Sequence, residues 1–369
     1  MGHAFAVLGS RGYPSTYGGF ETFVRRFAPY LAEQGDRVTV YCRGGRAGGR
    51  VQDGVRCVTT RGLDGTTLST LSYGLTSARH ARGQGYDAAL VLNIANGFFL
   101  PMLRRAGVPT AVNVDGIEWQ RDKWGRVGKG VFRRGAVLTA RHATEIVVDS
   151  EEIGRIWRST LGRNGVYIPY GADVMGEVGD GLVRDLGIKP GSYALVVARL
   201  VPENNVDLFL DALDRIEPSL PAVVVGNAST STALVGRLQA RAAAHREFHW
   251  LGHVHDQDLL SQLWSHCAVY FHGHSAGGTN PGLLQALGHG APTIALDTPF
   301  NAEVMDDPEQ LSPADANTVA AKLQAVVDDS ERQRRYAKRG RSVIADRFSW
   351  DDVLSVYRDL LLSLTDRSV

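Results

Sequence analysis

The stretch Leu8–Val24, LGSRGYPSTYGGFETFV, sets Gly9, Gly12, Gly18 and Gly19 between an apolar strand pattern and an amphipathic helix pattern. Glycine-rich turns of this kind let backbone N–H groups approach an anion at a helix N-terminus. This one has neither the lysine of a P-loop nor the spacing of a dinucleotide fingerprint. It reads as half of a ligand site or as a plain tight turn. Tyr13 and Tyr17 in the same stretch are candidates for touching an acceptor molecule.

Further constellations carry usable chemistry. In ARLVPENNVDLFLDAL, Arg199 ends a strand pattern just ahead of a helix, where a guanidinium can grip a diphosphate bidentately; a plain surface arginine is the other reading. In FHGHSAGGTNPGLLQALGHGAPTIALD, a strand pattern stops at His272. A loop with Gly277, Gly278, Thr279 and Asn280 follows, and Pro281 suits a first helical turn. Its amides can face an anion, Gln285 sits about one turn inside the helix within reach of a ribose, and His274 is the best placed of the histidines. In NVDGIEWQRDKWG, Asp115 ends a strand and Glu118 follows, so either carboxylate can meet a sugar hydroxyl or take a proton; a turn or capping role for Asp115 is equally open.

Between Gln120 and Ala143, seven Arg or Lys accompany one acid, Asp122, with Trp124 and Phe132 interleaved and Trp119 just ahead. Residues 119–142 read as a solvated basic face or as peripheral contact with an anionic membrane. Asp256 and Asp258 in HDQDLL suggest metal carboxylates, but their place at the start of a helical pattern favours capping, and no metal is expected. No Gly-x-Ser-x-Gly elbow or Cys/His set points to hydrolase chemistry.

The elements that position these residues alternate. HAFAVLGS, DRVTVYC, DAALVLN, PTAVNVDG, EIVVDS and GVYIP are short apolar runs separated by helical patterns, the βαβ rhythm of a parallel sheet. The rhythm restarts at SYALVVARL, then continues through PAVVVGN, FHWLGHV, AVYFHG and APTIALD. Two successive α/β domains follow, with a cleft expected where they meet. The junction falls in the glycine-rich, acidic segment between Pro169 and Pro190, giving domains at 1–172 and 173–348. Residues 349–369 form an amphipathic helix with Trp350, Val353, Leu354, Tyr357, Leu360 and Leu361 on one face, suited to crossing back to the first domain.

A chain of 369 residues is long enough for two such cores. With 40 basic against 39 acidic residues it lacks the global field of a nucleic-acid binder, so no nucleic-acid partner is expected. Cys42, Cys57 and Cys267 fit neither a disulfide framework nor a zinc site. No run approaches the length of a membrane span, and a cytoplasmic protein is expected, with any membrane contact peripheral at the inner face of the plasma membrane.

ARLVPENN, IPYGAD, HGHSAGGTNPGLLQALGHGAPTIALD and FSWDDVLSVYRDL together resemble the retaining glycosyltransferases of family 4, which have the GT-B fold. The opening loop and NVDGIEWQRDKWG are similar to a narrower rhamnosyltransferase-like subgroup of bacterial polysaccharide enzymes. The resemblance implies an α/β fold of two Rossmann-like domains, the N-terminal one for an acceptor and the C-terminal one for a nucleoside-diphosphate sugar. It implies that Gly18 and Gly19 lie by the diphosphate and reacting sugar, that Arg199 grips the phosphates, and that Gly278 to Asn280 supply amides. Gln285 stands at the ribose-binding carboxylate position, and Asp115 falls near a sugar-contacting histidine of relatives. Three departures stand out: Asn204 replaces a phosphate-neutralising lysine, and Gly277 and Gln285 replace paired glutamates.

The expected activity is transfer of a sugar, with dTDP-rhamnose the subgroup's candidate donor, to a glycan, a lipid-linked glycan or a specialised metabolite. Retention without a metal or other cofactor is expected. The rivals are a nucleotide-sugar epimerase or hydrolase and a nucleotide-sugar-binding pseudo-enzyme.

Overall fold

The computed structural model describes residues 2–14, 18–44, 48–63, 67–120, 124–228 and 233–366. Two compact units make up the chain: Met1–Tyr170 with Asp351–Val369, and Gly171–Trp350.

The first unit runs β1 (Ala4–Leu8), α1 (Gly19–Glu33), β2 (Arg37–Cys42), β3 (Gly48–Gln52), β4 (Val55–Thr59), α2 (Thr67–Ala81), β5 (Ala88–Leu92), α3 (Leu100–Arg105), β6 (Thr110–Asn113), α4 (Arg126–His142), β7 (Glu145–Val148), α5 (Glu151–Leu161) and β8 (Val166–Tyr167). Its strands lie in the order β3-β4-β2-β1-β5-β6-β7-β8, parallel except for the β3/β4 pair. Every residue of β1 is buried, as a central strand covered on both faces requires. Phe23, Val24, Phe27 and Leu31 give α1 its buried side, and the helix continues through Pro29. Strand order reverses between β1 and β5, and in open sheets that reversal opens a crevice at the carboxyl ends of the strands.

The second unit contains α6 (Gly181–Asp185), β9 (Ala194–Val197), α7 (Val206–Leu213), β10 (Ala222–Val225), α8 (Ala233–Ala244), β11 (Phe248–Gly252), α9 (Gln257–Ser265), β12 (Val269–His272), α10 (Pro281–Gly288), β13 (Thr293–Leu296), α11 (Pro299–Met305), β14 (Leu311–Ser312), α12 (Ala316–Val327) and α13 (Ser330–Arg347). Its sheet is parallel, ordered β11-β10-β9-β12-β13-β14, so the reversal lies between β9 and β12. The core on one face includes Phe209, Leu210, Phe271 and Leu323; the other includes Tyr193, Leu263, Trp264 and Tyr270. Asp256 caps α9, its carboxylate accepting from the N–H groups of Asp258 (2.9 Å) and Leu259 (3.2 Å), so this acid serves the helix.

The last helix, α14 (Trp350–Thr365), joins the first unit from Asp351 onward. Tyr357 packs on Phe23 and Phe27 of α1, with ring centroids 4.5 and 5.6 Å away, and its hydroxyl accepts from Asn113 Nδ2 at 2.6 Å. Arg358 Nε donates to the buried Asp36 carboxylate at 2.9 Å. The buried face uses Val353, Leu354, Tyr357, Leu361 and Leu364; Leu360 is only half-buried, because helical periodicity carries the stripe to Leu364. All three cysteines are free and buried, and no described helix is long and apolar enough to cross a membrane.

Candidate functional site

In the first unit the candidate residues gather at the carboxyl edge of the sheet. Gly9, just past β1, has φ 97, and a Cβ on it would stand 2.1 Å from the Leu92 carbonyl oxygen at the end of β5, so only glycine passes here. From Gly9 to Tyr13 the backbone is gripped by distant side chains. The Arg43 guanidinium donates to the carbonyls of Gly9 (2.9 Å) and Ser10 (3.1 Å) and to Thr70 Oγ1 (3.3 Å). Arg11 N–H donates to Glu21 Oε1 at 2.9 Å, while its carbonyl accepts from Arg43 N–H at 2.9 Å. Gly18, at φ 115, starts α1, and Gly19 is its first residue.

Tyr13 differs from its expected role. Its hydroxyl donates to Asp53 Oδ2 at 2.7 Å, its carbonyl accepts from Arg50 Nη2 at 3.0 Å, and the side chain is buried. Burial, then Asp53, push the phenol up to about 12. Tyr13 is thus an anchor between the loop and the β3/β4 hairpin, because a buried hydroxyl takes the nearest internal acceptor. Tyr17 and Asp122 lie outside the described residues.

Asp115 follows β6 at φ 54, half-buried, its N–H donating to Asn113 Oδ1 at 2.9 Å. Short polar side chains tolerate this left-handed backbone. Close by is buried Tyr170, whose phenol is held well above its usual range by burial, then by Asp115, Asp149, Tyr357 and Glu21. The charges of Asp115, Asp149 and Glu21 at this sheet edge are thus all felt at Tyr170. Glu118, like Tyr13, is turned inward: it is buried, and its Oε2 accepts from Trp124 Nε1 at 2.7 Å. The aromatic residues of this basic segment also face inward, Trp124 packing on Phe132 (4.9 Å) and Trp119 on Trp157 (5.9 Å). Arg126, Arg133, Arg134 and Arg141 are exposed along α4.

In the second unit two loops meet at the carboxyl ends of β9 and β12. Asn205 Nδ2 donates to the Gly273 carbonyl at 2.8 Å, and both Ser275 N–H (2.9 Å) and Oγ (3.0 Å) donate to the Glu203 carbonyl. These bonds lock the Arg199 loop to the loop that leads into α10. Arg199 itself is exposed. Asn204 is buried, with Nδ2 donating to the Arg199 carbonyl at 2.9 Å; this residue shapes the loop from inside and does not present its amide to a ligand.

Beyond β12, His272 is fully buried, shares a 3.2 Å hydrogen bond between Nδ1 and the Tyr270 hydroxyl, and stacks on His274 at 4.3 Å with 12° between planes. Burial, then His274, hold the His272 imidazole well below its ordinary value of 6.5, so it is neutral. Asn301 Nδ2 donates to the His274 carbonyl at 2.9 Å. Gly277 has φ 133, Gly278 and Thr279 are buried, and Asn280 caps α10 by accepting from Gly282 N–H at 2.9 Å. Gln285 is half-buried inside α10, with its carbonyl tied to His289. The arrangement offers an exposed cation and a capped helix N-terminus on one edge, which suits an anion such as a diphosphate. Among the described residues no group of three or more His, Cys, Asp or Glu could hold a metal ion.

The residues missed in the sequence are Glu21, Arg43, Asp149 and Tyr170. Each except Glu21 lies just past a strand of the first sheet, and Glu21 lies in the first turn of the helix after β1, so the rule that ligands sit beyond strand carboxyl ends was the available signal.

Comparison with known proteins places both units. Residues 18–171 match the glycosyl transferase 4-like domain, and residues 184–343 match the glycosyl transferases group 1 family. A curated relative, the GtfA subunit of the UDP-N-acetylglucosamine–peptide N-acetylglucosaminyltransferase of Streptococcus agalactiae, is 25% identical over 178 residues, which are 43% of this chain. The chain spans 33% of that relative's length. Among solved structures, sucrose-phosphate synthase from Thermosynechococcus elongatus aligns with a TM-score of 0.84 at 17% identity, over 98% of this chain and 100% of the other. HepE from Anabaena in complex with UDP aligns with a TM-score of 0.76 at 17% identity, over 98% and 100%. Two sheets with their loops at the strand reversals, matched domain by domain, lead to one conclusion: a glycosyl transferase 4-like domain over residues 18–171 is followed by a group 1 glycosyltransferase domain over residues 184–343, the pair of Rossmann-like domains of the GT-B fold.

Proposed function

We propose that the chain transfers a sugar from a nucleoside-diphosphate sugar to a hydroxyl-bearing acceptor, with retention of configuration and without a required metal. The observation that carries this reading is the lock between the two loops of the second unit, which ties the loop that follows exposed Arg199 to the segment leading into the capped N-terminus of α10. Charge developing on a leaving diphosphate meets a guanidinium and oriented amides from Gly277, Gly278, Thr279 and Asn280, which is electrostatic stabilisation of the departing group. Gln285 hydrogen-bonds a ribose hydroxyl without the strength of a carboxylate. His274, held by its stack on His272, faces the sugar. In the first unit Gly18 and Gly19 present backbone to the donor sugar, and Asp115 meets a sugar or acceptor hydroxyl.

UDP is the first nucleotide to test, because HepE, a structural neighbour, was solved with UDP and with UDP-glucose. dTDP-rhamnose is the subgroup candidate, and the acceptor is a glycan, a lipid-linked glycan or a specialised metabolite. The exposed arginines of α4 support peripheral contact with an anionic membrane at the cytoplasmic face; co-sedimentation with anionic liposomes at low salt, absent with neutral ones, is the expected result.

A thermal-shift panel of UDP, dTDP and GDP, followed by release of the nucleotide from its sugar with and without acceptor, tests the activity. Acceptor-dependent release abolished in Arg199→Ala supports it. Acceptor-independent product formation would instead indicate an epimerase or hydrolase, and binding without turnover a pseudo-enzyme, the reading that buried Asn204 in place of a second phosphate-binding cation favours.

A further inference from the structure

We infer that Glu21 is a positioning residue that ties together the two sides of the glycine-rich segment and so sets where Gly18 and Gly19 meet the donor sugar. Glu21 is buried in the first turn of α1, and Gly18, the residue that starts the helix, has no side chain with which to cap it. A carboxylate three residues into a helix commonly turns back to the N–H of the residue that starts it. This one reaches ten residues back instead, where Oε1 accepts from Arg11 N–H at 2.9 Å. Its other oxygen lies against Gly18: a Cβ there would be 2.5 Å from Oε2. One carboxylate therefore contacts the segment on its way in, at Arg11, and on its way out, at Gly18.

The clamp has an opposing jaw. Arg43 donates its N–H to the Arg11 carbonyl at 2.9 Å and its guanidinium to the two carbonyls before it. The Arg11 peptide is thus held at N–H by an anion and at C=O by the residue carrying a nearby cation; burial lowers the Arg43 guanidinium from its usual range, and the Glu21 charge opposes that shift. The carboxylate also sits at the positive end of the α1 dipole, where it is stabilised and where a phosphate would otherwise be drawn. The glycine-rich segment is by this account a platform for a neutral sugar, and the diphosphate is left to the second unit.

Because glycines contact ligands through backbone alone, their placement depends on this clamp, and a misplacement of about 1 Å can cost about a hundredfold in rate. The inference rests on the proposed glycosyl transfer. The test uses the full chain as wild type, Glu21→Ala, Glu21→Gln and Asp87→Ala; the last removes an acceptor from Ala4 N–H at the opposite end of β1. Amide exchange over residues 9–13, UDP binding, and release of UDP from UDP-glucose are measured for each. Glu21→Ala should speed exchange at Arg11 by about tenfold or more, and lower kcat by about ten- to a hundredfold with little change in KM or UDP affinity. Glu21→Gln should restore most of both, since its amide oxygen can accept the same bond. Wild-type exchange at Arg11 in Glu21→Ala, or a kcat loss no larger than in Asp87→Ala, would overturn the inference. Failure of the glycosyltransferase reading looks different: the wild type itself would bind no UDP and release none, whatever its exchange pattern.

Discussion

The carboxyl edges of the two sheets stand at equivalent places, beside the reversal between β1 and β5 in one unit and between β9 and β12 in the other. They are built from opposite materials. The first edge is held by charged side chains arriving from elsewhere, Glu21, Arg43, Arg50 and Asp53, and its carboxylates raise the Tyr170 phenol after burial has done so. The second is held by neutral amides and hydroxyls, Asn204, Asn205, Ser275 and Asn280, beside a neutral histidine, and leaves Arg199 exposed. Carboxylates at an edge disfavour a diphosphate and suit hydroxyls, whereas amides beside an exposed guanidinium suit an anion. Similar sheet topology thus carries two different edge chemistries, and the difference lies in which side chains close the loops.

Breaking the first edge should cost the most. Arg43→Ala leaves the Gly9 and Ser10 carbonyls without their donor and should lower the unfolding free energy by about 3 kcal/mol or more, read by urea titration. Arg43→Lys should recover little, because a point charge cannot reproduce the fork. The second edge should respond in binding and not in stability: Arg199→Ala should weaken UDP by about 1.5–3 kcal/mol, roughly ten- to more than a hundredfold in Kd by calorimetry, with an unchanged melting temperature.

Acidification should sharpen the contrast, since His272 is buried and neutral in the second edge. Its folded pKa lies well below 6.5, so below that pH the unfolded chain binds a proton that the folded chain does not. Stability contributed by the neutral ring is present above pH 6.5 and falls as pH drops, by up to about 1.4 kcal/mol per pH unit until the folded pKa is reached. Denaturant midpoints from pH 7 to 5 should show the fall, with a shallower slope in His272→Asn. The smallest effect separates a cap at the edge from a cap elsewhere. Asn280→Ala and Asp256→Ala should each cost about 1 kcal/mol of stability, but only the former should also weaken UDP.

The contrast between edges was only half visible in the sequence. Arg199, Gly277 to Asn280 and Gln285 stand out because a strand end, a glycine loop and a proline-started helix are contiguous in the chain. Asn204 is contiguous too, yet its burial against the Arg199 carbonyl depends on the second loop packing over it, which no local pattern reports. Tyr13 and Glu118 look like ligand groups in sequence because polar aromatics and acids near strand ends often are, and the partners that internalise Tyr13 lie on a hairpin about forty residues away.

What the sequence by itself determined is whatever one strand or helix decides alone: the α/β alternation, the parallel two-domain fold class, the glycine turns, the Asp256 cap and the apolar stripes of α1 and α14. Periodicity, capping and turn chemistry act within a few residues, so they are written locally. Only the tertiary structure decided that Arg43 and Glu21 close on the Arg11 peptide, that the charges of Asp115 and Asp149 act on buried Tyr170, and that α14 is fastened to Asn113 and Asp36. Those outcomes follow from burial. A polar group removed from water must find a partner within hydrogen-bonding distance, and chain folding, not sequence proximity, chooses which one.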